Sequence, residues 1–147
     1  VLIREALPSD ARAIEVLYKG FVPNPRIEVR AERLEQIRTD PANFLLVVED
    51  AAEVVATAFL TLCLDPMFAF RPYAVVENVV VADSRRGRGI GRRLVAHLEA
   101  LAAGADCTKL MLLSSSHRTD AHAFFERVGF ISDKKRGFVK YLPGRRP

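Results

Sequence analysis

Apolar positions recur along this chain with two spacings, and the change from one spacing to the other marks its elements. Residues 2–6 mix apolar and charged positions and read as a first strand rather than the apolar stretch of a secretory leader. Pro8, Ser9 and Asp10 then open a helix with Ser9 at its N-cap, and Ala11, Ile14, Leu17, Tyr18 and Phe21 fall on one helical face. Pro23 and Pro25 stop it. Ile27, Ala31, Leu34 and Ile37 define a second amphipathic helix, ended by Asp40 and Pro41. Residues 44–49 and 54–64 are strand-like, joined by a turn at 50–53. After a loop at 65–72, residues 73–82 form an apolar, β-branched run broken only by Glu77 and Asn78, which predicts a strand buried on both faces. Residues 89–103 are helical, with Ile90, Leu94, Leu98 and Leu101 at core spacing, and 110–115 form another buried strand. A short helix at 120–128 turns Ala121, Phe124, Phe125 and Val128 inward and stops at Gly129. Residues 130–132 and 137–142 read as a closing hairpin. The order β-α-α-β-β-β-α-β-α-β-β predicts an α/β fold: a mixed sheet of about seven strands with four helices on its two faces.

Composition narrows the class. With 147 residues, 50% of them hydrophobic, the chain fits one domain over 1–147 and is too apolar for disorder. No apolar run reaches the roughly 18 residues of a membrane span, so no membrane partner is expected. Cys63 and Cys107 fit neither a metal-ligand spacing nor a disulfide framework. They read as reduced thiols of a cytoplasmic protein, and no metal is expected. The net charge of +4 suits an anionic ligand or nucleic acid, but its distribution says more: Arg85, Arg86, Arg88, Arg92 and Arg93 crowd one short stretch. The helix that follows buries a wide apolar face and leaves few positions to read a groove, so nucleic acid is not the expected partner.

The arginines surround the glycines of Arg86-Gly87-Arg88-Gly89-Ile90-Gly91, between a buried strand and a helix. Glycines there let backbone amides approach a ligand, and the helix N-terminus adds about half a positive charge. Together these features suit a polyanion such as a pyrophosphate. A dinucleotide fingerprint would need an acidic residue about twenty positions on, where this chain has Ser114, Ser115 and Ser116. A P-loop would need Gly-Lys-Ser/Thr, which is absent. Turn glycines without a ligand are the plainer alternative.

The same six residues match the Arg/Gln-x-x-Gly-x-Gly/Ala signature, and in this the chain resembles the GNAT superfamily of acyl-CoA-dependent N-acyltransferases. Glu77-Asn78-Val79-Val80-Val81 is similar to the family's preceding strand, and residues 121–130 resemble its second signature, A-x-x-F-Y-E-x-x-G-F. Residues 1–39 match only in pattern. The resemblance implies a mostly antiparallel sheet with a splayed central strand pair, acetyl-CoA as cosubstrate, and transfer of its acetyl group to a primary amine of a small molecule by direct attack. It implies cofactor contacts from Arg86, Gly87, Arg88, Gly89, Ile90, Gly91 and Arg92 to the pyrophosphate, from the backbone of Val79, Val80 and Val81 to the pantetheine arm, and from Ser116 and Phe125 nearby. Glu77 matches the position of a glutamate base. Independently, a carboxylate inside an apolar strand is desolvated, which should raise its pKa, and period-two alternation puts it on one face with Val79 and Val81. Its alternative is an Arg-paired structural carboxylate, and His117 and His122 are alternative bases. Phe125 replaces the signature's tyrosine and has no proton to give a leaving thiolate, which leaves His122, Ser116 or water as donors, or no donor at all. Arg118 stands near where the family often carries asparagine. The family's acceptor site points to the 67–72 loop and to the loop between the first two helices; in the former, Arg71 and Phe70 are candidate substrate contacts, and Phe68 and Phe70 read equally as substrate contacts, an oligomer surface or buried anchors. A protein N-terminal or lysine acetyltransferase, and a non-catalytic acyl-CoA-binding module, are the alternative functions. A homodimer agrees with the family's habit.

Overall fold

The β-branched runs form strands, and those close in sequence pair through short connections. In the computed structural model, which describes residues 1–147, β1 (Leu2–Glu5), β2 (Asn43–Asp50), β3 (Glu53–Cys63) and β4 (Tyr73–Val81) form an antiparallel sheet in chain order. β5 (Leu110–Met111) joins the β4 edge in parallel, pairing only Ala74 with Leu110 and Val75 with Met111. Around the sheet run α1 (Ala11–Phe21), α2 (Ala31–Thr39), α3 (Ile90–Gly104) and α4 (Thr119–Arg127).

The alternation of each strand feeds two apolar layers. Leu46, Val48, Ala58, Leu60, Ala74 and Val76 point to one face and pack with Ile90, Leu94, Leu98 and Ala102 of α3. Leu45 and Val47 point to the other and pack with Ala6, Ile14 of α1 and Leu34 of α2. Each fully buried leucine, isoleucine or valine here contributes about 1.5–3 kcal/mol of transfer free energy. The one fully buried hydroxyl, Thr57, donates to the Leu46 carbonyl at 2.8 Å, so it carries no unmet polar group into the core.

Several expectations are corrected. The sheet has five strands, not about seven. The strand expected at 110–115 keeps only its first two residues in pairing, because β5 turns away from β4 beyond Met111. The closing hairpin is absent: over residues 131–147 the one backbone hydrogen bond runs from Arg145 N–H to the Leu142 carbonyl. An alternating segment becomes a strand only where an edge accepts it, and β5 is too short to do so. Ser9 is not the cap of the first helix. The N-cap is Asp10, whose side chain makes no bond to the helix and instead accepts the Leu7 N–H at 2.7 Å, closing a single 3-10 turn (Pro8–Asp10) that precedes α1. Ile27 lies outside α2, which starts only at Ala31.

Candidate functional site

Because β4 and β5 part after two residue pairs, residues 76–81 have no strand beside them on that side. The gap is bounded by residues 112–115, the start of α3, α4 and Phe21 at the end of α1, and it encloses about 680 Å³. At its upper end β4 passes through a 3-10 turn (Asp83–Arg85) into the glycine loop.

Gly89 is the N-cap of α3 and has φ 76°, a left-handed conformation that costs a residue with a Cβ about 1–2 kcal/mol. Gly91 serves by its size: a Cβ there would stand 3.1 Å from Cζ of Phe124 in α4, so its absence lets α3 and α4 close together. The first intrahelical backbone bond runs from Arg93 N–H to the Gly89 carbonyl. The amides from Gly87 to Arg92 donate to no backbone or side-chain acceptor. They form a run of free N–H groups at a helix N-terminus, the donor set an anion requires. The arginines divide the labour. Arg85 is tied to Asp50 at 2.9 Å and Glu53 at 3.2 Å, bracing the loop against the β2–β3 turn. Arg86 lies 2.9 Å from Asp83. Arg92 lines the cleft without a carboxylate partner, whereas Arg88 is exposed and does not line it. Free amides, a helix dipole and Arg92 fit the pyrophosphate of an acyl-CoA.

Lower in the cleft β4 is bulged. Glu77 pairs with Phe59 and Val80 with Thr57, so Asn78 and Val79 together face Ala58, and Asn78 has φ 53°. The extra residue reverses the alternation. Val79 and Val81 pack toward α3, whereas Glu77 stands opposite Phe59 on the α1/α2 face. The expected common face of Glu77, Val79 and Val81 is therefore corrected, and so is the expected burial: Glu77 is exposed and lines the cleft. Glu77 has no arginine partner. Beside the bulge, Tyr18 of α1 lies against Asn78 and Thr57; burial pushes its phenol up, and hydrogen bonding from those two side chains opposes the shift.

The cleft brings together Glu77, Val79, Val80, Val81, Arg86, Gly87, Gly89, Ile90, Gly91, Arg92 and Phe125. It does not include Ser116, Phe70 or Arg71. Phe70 is 100% exposed, and Arg71 pairs with Asp106 at 3.2 Å, at the end of β4 away from the glycine loop. Phe125 stacks between Phe124 and Phe130, with ring centroids at 5.3 and 5.7 Å. His122 does not line the cleft; its Nε2 meets the Ser115 carbonyl at 2.9 Å and so steadies the start of α4. Phe21 and Ser115 are cleft residues that the sequence reading overlooked, and Arg118, seen there only as a departure from the family, packs its guanidinium 4.1 Å from the centroid of the Phe21 ring. No spacing in the sequence could join Phe21 to Arg118; only the sheet between them does.

Residues 11–130 match the family model described as the acetyltransferase (GNAT) family. Glucosamine 6-phosphate N-acetyltransferase 1 of Oryza sativa subsp. japonica is 33% identical over 120 residues, covering 78% of this chain and 71% of the relative. A solved structure from Agrobacterium tumefaciens, provisionally described as an acetyltransferase, superposes with TM-score 0.88 at 35% identity over 97% of this chain and 100% of that one. Glucosamine-6-phosphate N-acetyltransferase from Arabidopsis thaliana superposes with TM-score 0.80 at 26% identity over 96% of this chain and 97% of that one.

Proposed function

The chain belongs to the acetyltransferase (GNAT) family and is an acetyltransferase, and from that premise we propose that it uses acetyl-CoA to acetylate the primary amine of a small molecule by direct attack. The observation that carries this reading is the run of free amides from Gly87 to Arg92 at the head of α3, set above a strand edge with no partner. The similarity to two glucosamine 6-phosphate N-acetyltransferases supports a small amine as acceptor at the level of the family.

Bound acetyl-CoA supplies a thioester, whose C–S bond is exchanged for an amide with release of a thiol. The chain's own groups do the rest. The loop amides, with Arg86 and Arg92, hold the pyrophosphate. The free edge at Val79, Val80 and Val81 offers main-chain donors and acceptors to an extended arm, as an added strand would use them. An ammonium cannot attack, so Glu77 takes its proton, directly or through water. Phe125 packs and carries no proton, so it gives the departing sulfur no acid assistance; a thiol pKa near 8.5 makes that tolerable. In this reading the protein acts in the cytoplasm and pairs with a second copy along the β5 edge of the sheet. Ten exposed large hydrophobic residues on the β3–β4 loop, β5 and the tail support that pairing.

Calorimetric titration with acetyl-CoA tests the cofactor site. The wild-type protein binds, and Gly89→Asp abolishes binding while the protein stays folded, because aspartate tolerates the left-handed conformation but places a negative charge where the pyrophosphate belongs. Undiminished affinity in a folded Gly89→Asp protein would sink the assignment.

A further inference from the structure

The glycine loop leaves the sheet at the end of β4. There the Ala82 N–H still reaches the Val55 carbonyl of β3 at 2.9 Å. Three residues on, the Arg85 side chain makes a second attachment: Nη1 donates to Asp50 at 2.9 Å and Nη2 to Glu53 at 3.2 Å, one carboxylate on each side of the β2–β3 turn. From Arg86 to Gly89 the chain makes no hydrogen bond or ion pair to the sheet; the Arg86 N–H and guanidinium both return to Asp83, inside the loop. At Ile90, 3% exposed, it enters the core again. The stretch from Arg86 to Gly89 is thus held at two points, by Arg85 before it and Ile90 after it.

The turn that Arg85 grips is strained, since Ala51 and Ala52 have φ 51° and 64°. Asp50 and Glu53 pair across it, so one forked guanidinium on both carboxylates holds the strand ends together and ties the loop to them. The Arg85 and Asp50 side chains are 23% and 28% exposed, so that pair is little screened, whereas Glu53 at 71% contributes less. The trio holds one positive and two negative charges, so it does not serve a polyanion by attraction. We propose that Arg85 is a positioning residue for acyl-CoA binding: through Asp50 and Glu53 it fixes the glycine loop to the β2–β3 turn, and so keeps the amides of Gly87 to Arg92 in the arrangement that receives the pyrophosphate. The proposal rests on the reading of that loop as an acetyl-CoA site and adds what sets its affinity. Donors already in place bind more tightly than mobile ones, because their ordering is complete before the ligand arrives.

Charge and position predict opposite signs, and calorimetric titration with acetyl-CoA reads the sign. Asp50→Asn removes a negative charge near the site of a polyanion, so attraction alone would tighten binding. Loss of the brace instead weakens it about three- to tenfold. Glu53→Gln weakens it less, about twofold, and Arg85→Ala at least as much as Asp50→Asn. Melting temperature is measured on every variant, since a merely structural role would lower it and leave the affinity alone. In the ligand-free protein, brief trypsin treatment of Asp50→Asn cuts after Arg86 and Arg88 faster than in the wild type, while cutting after Lys134 of the tail is unchanged. Tighter or unchanged acetyl-CoA binding in folded Asp50→Asn, or unchanged cutting at Arg86 and Arg88, overturns the proposal. If Asp50→Asn does not fold, Glu53→Gln, at an exposed position, decides by the same sign. A wild-type protein that does not bind acetyl-CoA overturns the acetyl-CoA reading itself, and this proposal with it.

Discussion

Glu77 stands where it does because β4 carries one residue more than its partner strand. Without the bulge at Asn78, alternation would carry Glu77 and the valines that follow on one face. With it, the carboxylate lies on the α1/α2 face while Val79 and Val81 pack toward α3. Glu77 is exposed and makes no salt bridge. Glu77→Gln preserves the size of the side chain and removes the acceptor. We expect kcat to fall about a hundredfold or more with acetyl-CoA affinity unchanged, read from thiol release at saturating amine and from calorimetry. Turnover at the wild-type rate across the pH range would move the base elsewhere.

Among the elements, the passage from β1 into α1 shows how one carboxylate joins two of them. Asp10 is 7% exposed and accepts from Leu7 N–H and from both terminal nitrogens of Arg4, at 2.8 and 3.1 Å, while Arg4 also holds Glu49 of β2 at 3.0 Å. The Arg4 hydrogen bond holds the Asp10 carboxyl below the usual aspartate range; burial opposes this, and the Leu7 N–H adds to it. Because the folded-state pKa is lowered, the stabilisation is fully present above the unfolded value of about 3.9 and is lost as pH falls through the folded value. Asp10→Asn keeps the Leu7 contact and loses the charge. It should cost about 1–3 kcal/mol at neutral pH and flatten the acid limb of stability against pH, measured by urea denaturation between neutral and acid pH. An unchanged acid limb would show that Asp10 does not govern it. The β2–β3 turn is less economical: Ala51 and Ala52 both have positive φ, where asparagine and glycine are the usual occupants. Its flanking residues Asp50 and Glu53 are the two that grip Arg85, so this turn also anchors the glycine loop.

At the scale of the molecule, a set of large apolar side chains stands open to solvent. Leu64, Phe70 and Phe138 are 94%, 100% and 86% exposed, and Met111 of β5, Leu113 just beyond it, and Ile131, Val139, Tyr141 and Leu142 of the tail lie open as well. Soluble monomers seldom leave such surface open. We expect a dimer by light scattering coupled to gel filtration, and a shift to monomer in Phe70→Glu combined with Phe138→Glu. A wild-type protein that stays monomeric at high concentration contradicts the pairing.

The sequence alone determined the helices, the first four strands and the glycine loop, because each depends on contacts close in the chain: a periodic apolar face, a glycine beside a helix start, a cluster of arginines. It also carried the family signatures and the candidacy of Glu77. What it could not determine were features set by partners distant in the chain. The alternating tail at 137–142 is strand-like in pattern, yet it has no edge to pair with inside its own chain. Arg71 looked like a lone cation in an acceptor loop, but Asp106, far along the sequence, claims it. Phe21 and Arg118 come together only when α1 and α4 close on the same cleft. The bulge at Asn78 depends on a register between β3 and β4 that no local pattern reports, and it sets Glu77 on the opposite face of the sheet from Val79 and Val81.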